Sequence, residues 1–121
     1  MKLIGTIFAA ALLCGTAQAA DKDGKFQVIG AGAITCQKYL ETNSNEADRR
    51  LTEMWWTGFV TAANLLTSDT WSVVGKDPNA RVNEALQKHC KENPNILFAI
   101  AVHDVVKSLY NDQHLKAEPK D

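Results

Sequence analysis

Trp55, Trp56, Phe59 and Val60 place four large apolar side chains within six consecutive positions of the chain. Aromatic surface at that density serves contact between protein surfaces rather than covalent chemistry, since large aromatics dominate both cores and interfaces. In a helix, adjacent side chains splay by about 100°, so one ring of Trp55-Trp56 can anchor a core while the other edges toward a partner. The plainer alternative is that both are core anchors. The four residues are candidate contact positions on that ground. No catalytic constellation accompanies them. The chain has no G-x-S-x-G and no H-E-x-x-H, and His89, His103 and His114 lack metal-ligand spacing. His103-Asp104 is adjacent in sequence, but helical neighbours diverge too far to preform a relay. Gly30-Ala31-Gly32 would need a third glycine at Thr35, with a strand before it, to bind a dinucleotide. The expectation is a protein without enzyme activity, cofactor or metal.

The cysteines are read with the start of the chain. Lys2, the uncharged 11-residue stretch Leu3–Leu13 and Ala17-Gln18-Ala19 have the order of a secretory signal peptide. The stretch is well short of the ~20 residues that span a bilayer, so cleavage after Ala19 or Ala20 is expected, with no membrane insertion. Cys14 leaves with the signal. Cys36 and Cys90 remain, 54 positions apart in a mature chain of 102 residues. An even pair in an oxidising compartment predicts a disulfide.

These residues need elements to position them. Residues 20–34 read as a flexible leader. Thr35 caps a short helix to about Thr42, and Asn45 caps a longer one whose first turn carries Glu46 and Asp48, favourable at the positive end of the helix dipole. Leu51, Trp55, Phe59, Ala62 and Leu66 recur at helical spacing as one apolar stripe, widened by Trp56, Val60 and Ala63. Ser68–Lys76 reads as a loop whose Trp71 lies as a lid over the core. Asp77-Pro78 starts a third helix, with Asp77 as cap and Pro78 where no amide donor is needed. Val82, Ala85, Leu86, His89 and Cys90 share its inner face. Asn93-Pro94 ends this helix and starts a fourth by the same logic. Leu97, Ile100, Ala101, Val105 and Leu109 mark the inner face of the fourth helix, broadened by Ile96, Ala99, Val102, His103 and Val106. Residues 112–121 read as a polar tail. The predicted fold is all-α: a small four-helix domain over 35–111, closed by one disulfide.

Length and charge agree with one modest domain. The 121 residues are 45% hydrophobic, with 13 basic and 14 acidic groups and no basic cluster, which argues against nucleic-acid binding.

Thr35-Cys36-Gln37-Lys38-Tyr39, the pair Trp55-Trp56 and His89-Cys90-Lys91-Glu92-Asn93-Pro94, in that order, resemble the HdeA/HdeB family of periplasmic acid-stress chaperones, and the HdeB type more than the HdeA type. The resemblance covers about residues 34–110. It implies a homodimer at neutral pH that rearranges in acid, exposes apolar surface and holds unfolded periplasmic proteins without ATP. On that reading Trp55, Trp56, Phe59 and Val60 are candidate client or dimer contacts. The chain departs from the family in its longer leader and in its longer stretch around Leu65–Lys76. A different class, an immunity or inhibitor protein gripping one folded enzyme near pH 7, fits the same small exported domain. The residues permit the acid response. Without Lys2, twelve basic groups face fourteen acidic ones, a charge of −2; protonating every carboxylate and the three histidines makes it +15. A small domain at that charge repels itself and loosens.

Overall fold

The structure, a computed structural model, describes residues 20–116, with side chains through His114. The export segment, Cys14 and the cut after Ala19 lie outside the described residues. Four helices form: α1 (Cys36–Glu41), α2 (Glu46–Leu66), α3 (Pro78–Glu92) and α4 (Phe98–Lys116). Short 3₁₀ turns occupy Gly30–Ala33 and Thr42–Ser44, and no strand occurs among the described residues beyond one isolated bridge between Thr35 and Leu97. The first two caps follow directly from side-chain chemistry. Thr35 Oγ1 accepts the Lys38 amide at 3.2 Å, and Asn45 Oδ1 accepts the Asp48 amide at 3.2 Å, each satisfying an amide with no intrahelical partner.

The starts of α1 and α4 are laced side by side. The Cys36 amide donates to Ile96 O at 2.8 Å, the Gln37 amide to Pro94 O at 2.9 Å and the Phe98 amide to Ile34 O at 2.8 Å. The Cys36–Cys90 disulfide then ties α1 to α3 where their Cα atoms stand 4.9 Å apart. Between these ties sits the core: Trp56, Phe98, Leu86, Val74, Val82 and Val102 are fully buried, and Tyr39 stacks on Phe98 with ring centroids 4.4 Å apart. Burying Leu86 and Phe98 stabilises the fold by about 1.5–3 kcal/mol each.

Several elements differ from the sequence reading. Within the stretch read as leader, Gly30–Ala33 is a 3₁₀ turn with Gly32 buried. Pro78 does open α3, but Asp77 takes a left-handed conformation (φ 52°) and its side chain caps nothing. Pro94 does not open α4. It sits in a turn, and α4 begins four residues later, because the Pro94 and Ile96 carbonyls accept the Gln37 and Cys36 amides and Leu97 bridges to Thr35. Within the stretch read as a tail, α4 continues to Lys116 and Gln113 Nε2 donates to Val73 O at 3.0 Å. Leu97 and His103, read as inward, are exposed, whereas Phe98, absent from the predicted inner face, is fully buried.

Candidate functional site

The four candidate residues divide into two i,i+4 pairs on adjacent faces of α2. Trp56 (1% exposed) and Val60 point into the core; Trp55 and Phe59 lie half-buried beside them, their rings stacked 6.0 Å apart. The predicted stripe is therefore rotated. The buried line runs Thr52, Trp56, Val60, with Ala63 half-buried after it, while Leu51, Ala62 and Leu66 face out. Hydrophobic spacing alone could not choose, because α2 is apolar on its outer face too. Thr52 enters the core because its hydroxyl donates to Arg49 O at 2.9 Å, leaving no unsatisfied polar group. With Val60 in this position, Val60→Ser is expected to lower stability at pH 7 by about 1–3 kcal/mol, read by urea or thermal unfolding. A shift under a few tenths of a kcal/mol would place the residue outside the core.

The outer side of the Trp55 ring is covered by a single turn. The Gly30–Ala33 turn lies across its ring so closely that a Cβ on Gly32 would overlap the indole, and Trp55 Nε1 donates to Ile29 O at 2.7 Å. Phe98 meets the other side at 6.0 Å between centroids. The cover is a strap, four residues of 3₁₀ turn whose neighbours Phe26 and Ile29 are themselves exposed. The sequence signal for it is Gly32, which no turn rule explains (its φ is not positive) and which the Trp55 ring requires.

At the other end of α2, Trp71 is not a lid. It stands 97% exposed, and Val73 and Val74 cover the core instead. Asn64 Oδ1 accepts the Val73 amide at 2.8 Å and Gln113 binds the Val73 carbonyl, which pins the loop and turns Trp71 outward.

The histidines meet where sequence reasoning kept them apart. Asp104 accepts a contact from His103 Nδ1 at 3.1 Å and lies 3.6 Å from His89 Nε2 across the α3–α4 groove. The Cβ directions of neighbours in a helix diverge, but these two longer side chains fold back to meet. His89 Nε2 is buried without a hydrogen-bond partner. The contact brings α3 and α4 together at this point. Among the described residues no cluster of three or more His, Cys, Asp or Glu side chains could hold a metal ion. Burial raises the Tyr39 phenol above its ordinary value, opposed by the weaker pull of Gln87 Nε2 at 3.4 Å. A raised value keeps the phenol neutral in the fold, so its contribution is complete below the ordinary tyrosine range and is lost only in alkali. An acid response must come from other groups.

Fold and surface together define a small disulfide-clamped helical domain whose distinctive feature is strapped and exposed apolar surface on α2. The family model for HdeA/HdeB matches residues 3–99, and the chain belongs to that family, known for periplasmic acid-stress chaperones. No curated protein and no solved structure matched the chain in the other two comparisons. No helix among the described residues is long and apolar enough to cross a membrane.

Proposed function

We propose that the mature chain, exported and cut after Ala19 or Ala20, is an acid-activated holdase of the HdeB type. It is a homodimer near pH 7 and holds acid-unfolded periplasmic proteins without ATP. One observation carries this reading: the half-buried ring of Trp55, stacked on Phe59, is covered on its outer side by a single strap, held there by an indole hydrogen bond and by packing on Gly32. Acid supplies the force. As carboxylates take up protons the net charge climbs toward +15, and the repulsion acts first on thinly held segments. Lifting the strap uncovers Trp55 beside Phe59, and further loosening brings Phe59, Trp56 and Val60 within reach of clients. The disulfide keeps α1 on α3 meanwhile, so the chain offers apolar surface without unfolding outright. The HdeB-like features of the sequence favour activity around pH 4, where ordinary carboxylates become protonated.

Light scattering of an acid-denatured client, titrated from pH 7 to pH 2 without ATP, tests this. Aggregation is expected to be suppressed in acid and unaffected at pH 7. Equal protection at pH 3 and pH 7, or none at either, rejects the proposal.

A further inference from the structure

We propose that the last turn of α2 and the loop after it dock on the surface of an anionic phospholipid bilayer, with Trp71 seated among the headgroups and Lys76 and Arg81 on lipid phosphates. The three barest large apolar side chains among the described residues are Leu65 (81% exposed), Leu66 (84%) and Trp71 (97%), all within seven consecutive positions. They also share one place. The bond from the Val73 amide to Asn64 Oδ1 ties the loop back to the last turn of α2. Trp71 stands two residues from that tie on the loop, and Leu65 and Leu66 stand one and two residues from it on the helix. Scattered exposed apolar residues are ordinary, whereas a cluster marks a surface that meets something apolar. The loop is also held in place beside the indole: Ser72 Oγ accepts the Gly75 amide and donates to the Gly75 carbonyl, each at 3.1 Å.

What lies next to Trp71 points to the partner. An open cleft of about 600 Å³ has Trp71, Lys76, Arg81, Gln113 and His114 on its walls, with Asp69 as its one carboxylate. Two fixed cations therefore face one anion. Of the three arginines, Arg49 and Arg50 pair with Glu53 and Glu46 on α2, while Arg81 is half-buried and has no ion pair among the described residues. Gly75 makes room for it, since a Cβ there would overlap the Arg81 guanidinium. An indole, apolar with a single N–H donor, is the side chain that collects between hydrocarbon and headgroups, and guanidinium and ammonium groups bind phosphate oxygens. A small soluble anion would satisfy Arg81 and leave three apolar side chains bare; an apolar groove on another protein would do the reverse. An anionic lipid surface satisfies both, and docking of this peripheral kind needs no spanning helix.

The inference rests on export, which brings the chain to a membrane surface, and not on holdase activity. Co-sedimentation of the mature protein at pH 7 tests it, using vesicles of phosphatidylglycerol with phosphatidylethanolamine against vesicles of phosphatidylcholine. Salt of about 0.1 M screens charges more than ~10 Å from the bilayer, so the local cations decide the outcome. The wild type is expected to partition onto the anionic vesicles at least about fivefold better than onto the zwitterionic ones. Trp71→Ala and Arg81→Gln should each lower that partitioning by about fivefold. Trp71→Ala should leave circular dichroism and melting unchanged, because its side chain is bare. Bromine-labelled lipid tails should quench tryptophan emission in the wild type and not in Trp71→Ala, since Trp55 and Trp56 are covered within the fold. A wild type that stays in the supernatant overturns the proposal, and so does sedimentation that Trp71→Ala leaves intact. Calorimetric binding of inorganic phosphate without vesicle binding also overturns it, giving the cleft to a soluble anion; Trp71-dependent self-association without vesicle binding does the same, giving the surface to a second copy. Failure of the chaperone reading would look different: vesicle binding intact, with no protection of clients in acid.

Discussion

Replacing Cys36 and Cys90 together by serine is expected to lower the melting temperature at pH 7 by roughly 15–30 °C. The bridge spans 54 positions, and closing a loop of that length restricts the unfolded chain by about 4 kcal/mol on the entropy model. Total stability for a domain of this size is about 5–15 kcal/mol, so the loss is a large fraction. What then holds α1 is the lacing of the Cys36 and Gln37 amides onto the Ile96 and Pro94 carbonyls, the Tyr39 stack on Phe98 and the bond from Gln87 to the Tyr39 hydroxyl. The Tyr39 stack reports through near-ultraviolet circular dichroism, which should flatten before the helical signal does. The variant should also lose client protection in acid, because nothing then restrains the charged chain from expanding. A melting temperature within a few degrees of wild type would mean that the lacing, and not the bridge, closes the domain.

Gly32→Leu should switch the protein partly on at neutral pH. A leucine side chain at this position must enter the volume of the Trp55 ring, since even a Cβ there overlaps the indole. Overpacking of this kind costs about 1–3 kcal/mol, and the cheapest relief is to lift the strap, breaking the bond from Trp55 Nε1 to Ile29 O. The helices should persist, since α1 and α4 are laced below the strap at Ile34 and the disulfide is untouched. The measurements are dye binding to apolar surface and client light scattering, both at pH 7. Both are expected to move toward the values that the wild type shows only in acid. Unchanged dye binding and no protection at pH 7, with normal acid activity, would remove the strap from the mechanism.

Much of this protein was legible before any coordinates. The Cys36–Cys90 pair, Thr35 and Asn45 as caps, Pro78 at a helix start and the inner face of Val82, Leu86 and Cys90 follow from local chemistry, and each stands where the residues placed it. Family membership was legible in the same way, from short motifs in a fixed order. Capping, disulfide formation and α3's periodicity are local or pairwise, and one contrast between apolar and polar faces suffices to orient α3.

Tertiary structure decided the rest. On α2 the apolar residues surround the helix, so periodicity could not say that Thr52, Trp56 and Val60 face inward while Leu51 and Leu66 face water. Only the neighbouring helices break that degeneracy. Trp71 looked like a lid because it is large, but the hydrogen bonds of Asn64 and Gln113 to the Val73 backbone give its place to Val73 and Val74. His89 and Asp104 lie far apart in sequence and meet because α3 packs on α4. The strap over Trp55 was invisible for the same reason: a glycine's value there lies in the indole that presses on it, and that indole arrives from 23 residues further along the chain. Local chemistry fixes the four helices, the Thr35 and Asn45 caps, the disulfide and the family. Which apolar side chains are hidden, which are strapped and which are left bare depends on contacts between segments distant in the chain, and so only the packed fold determined it.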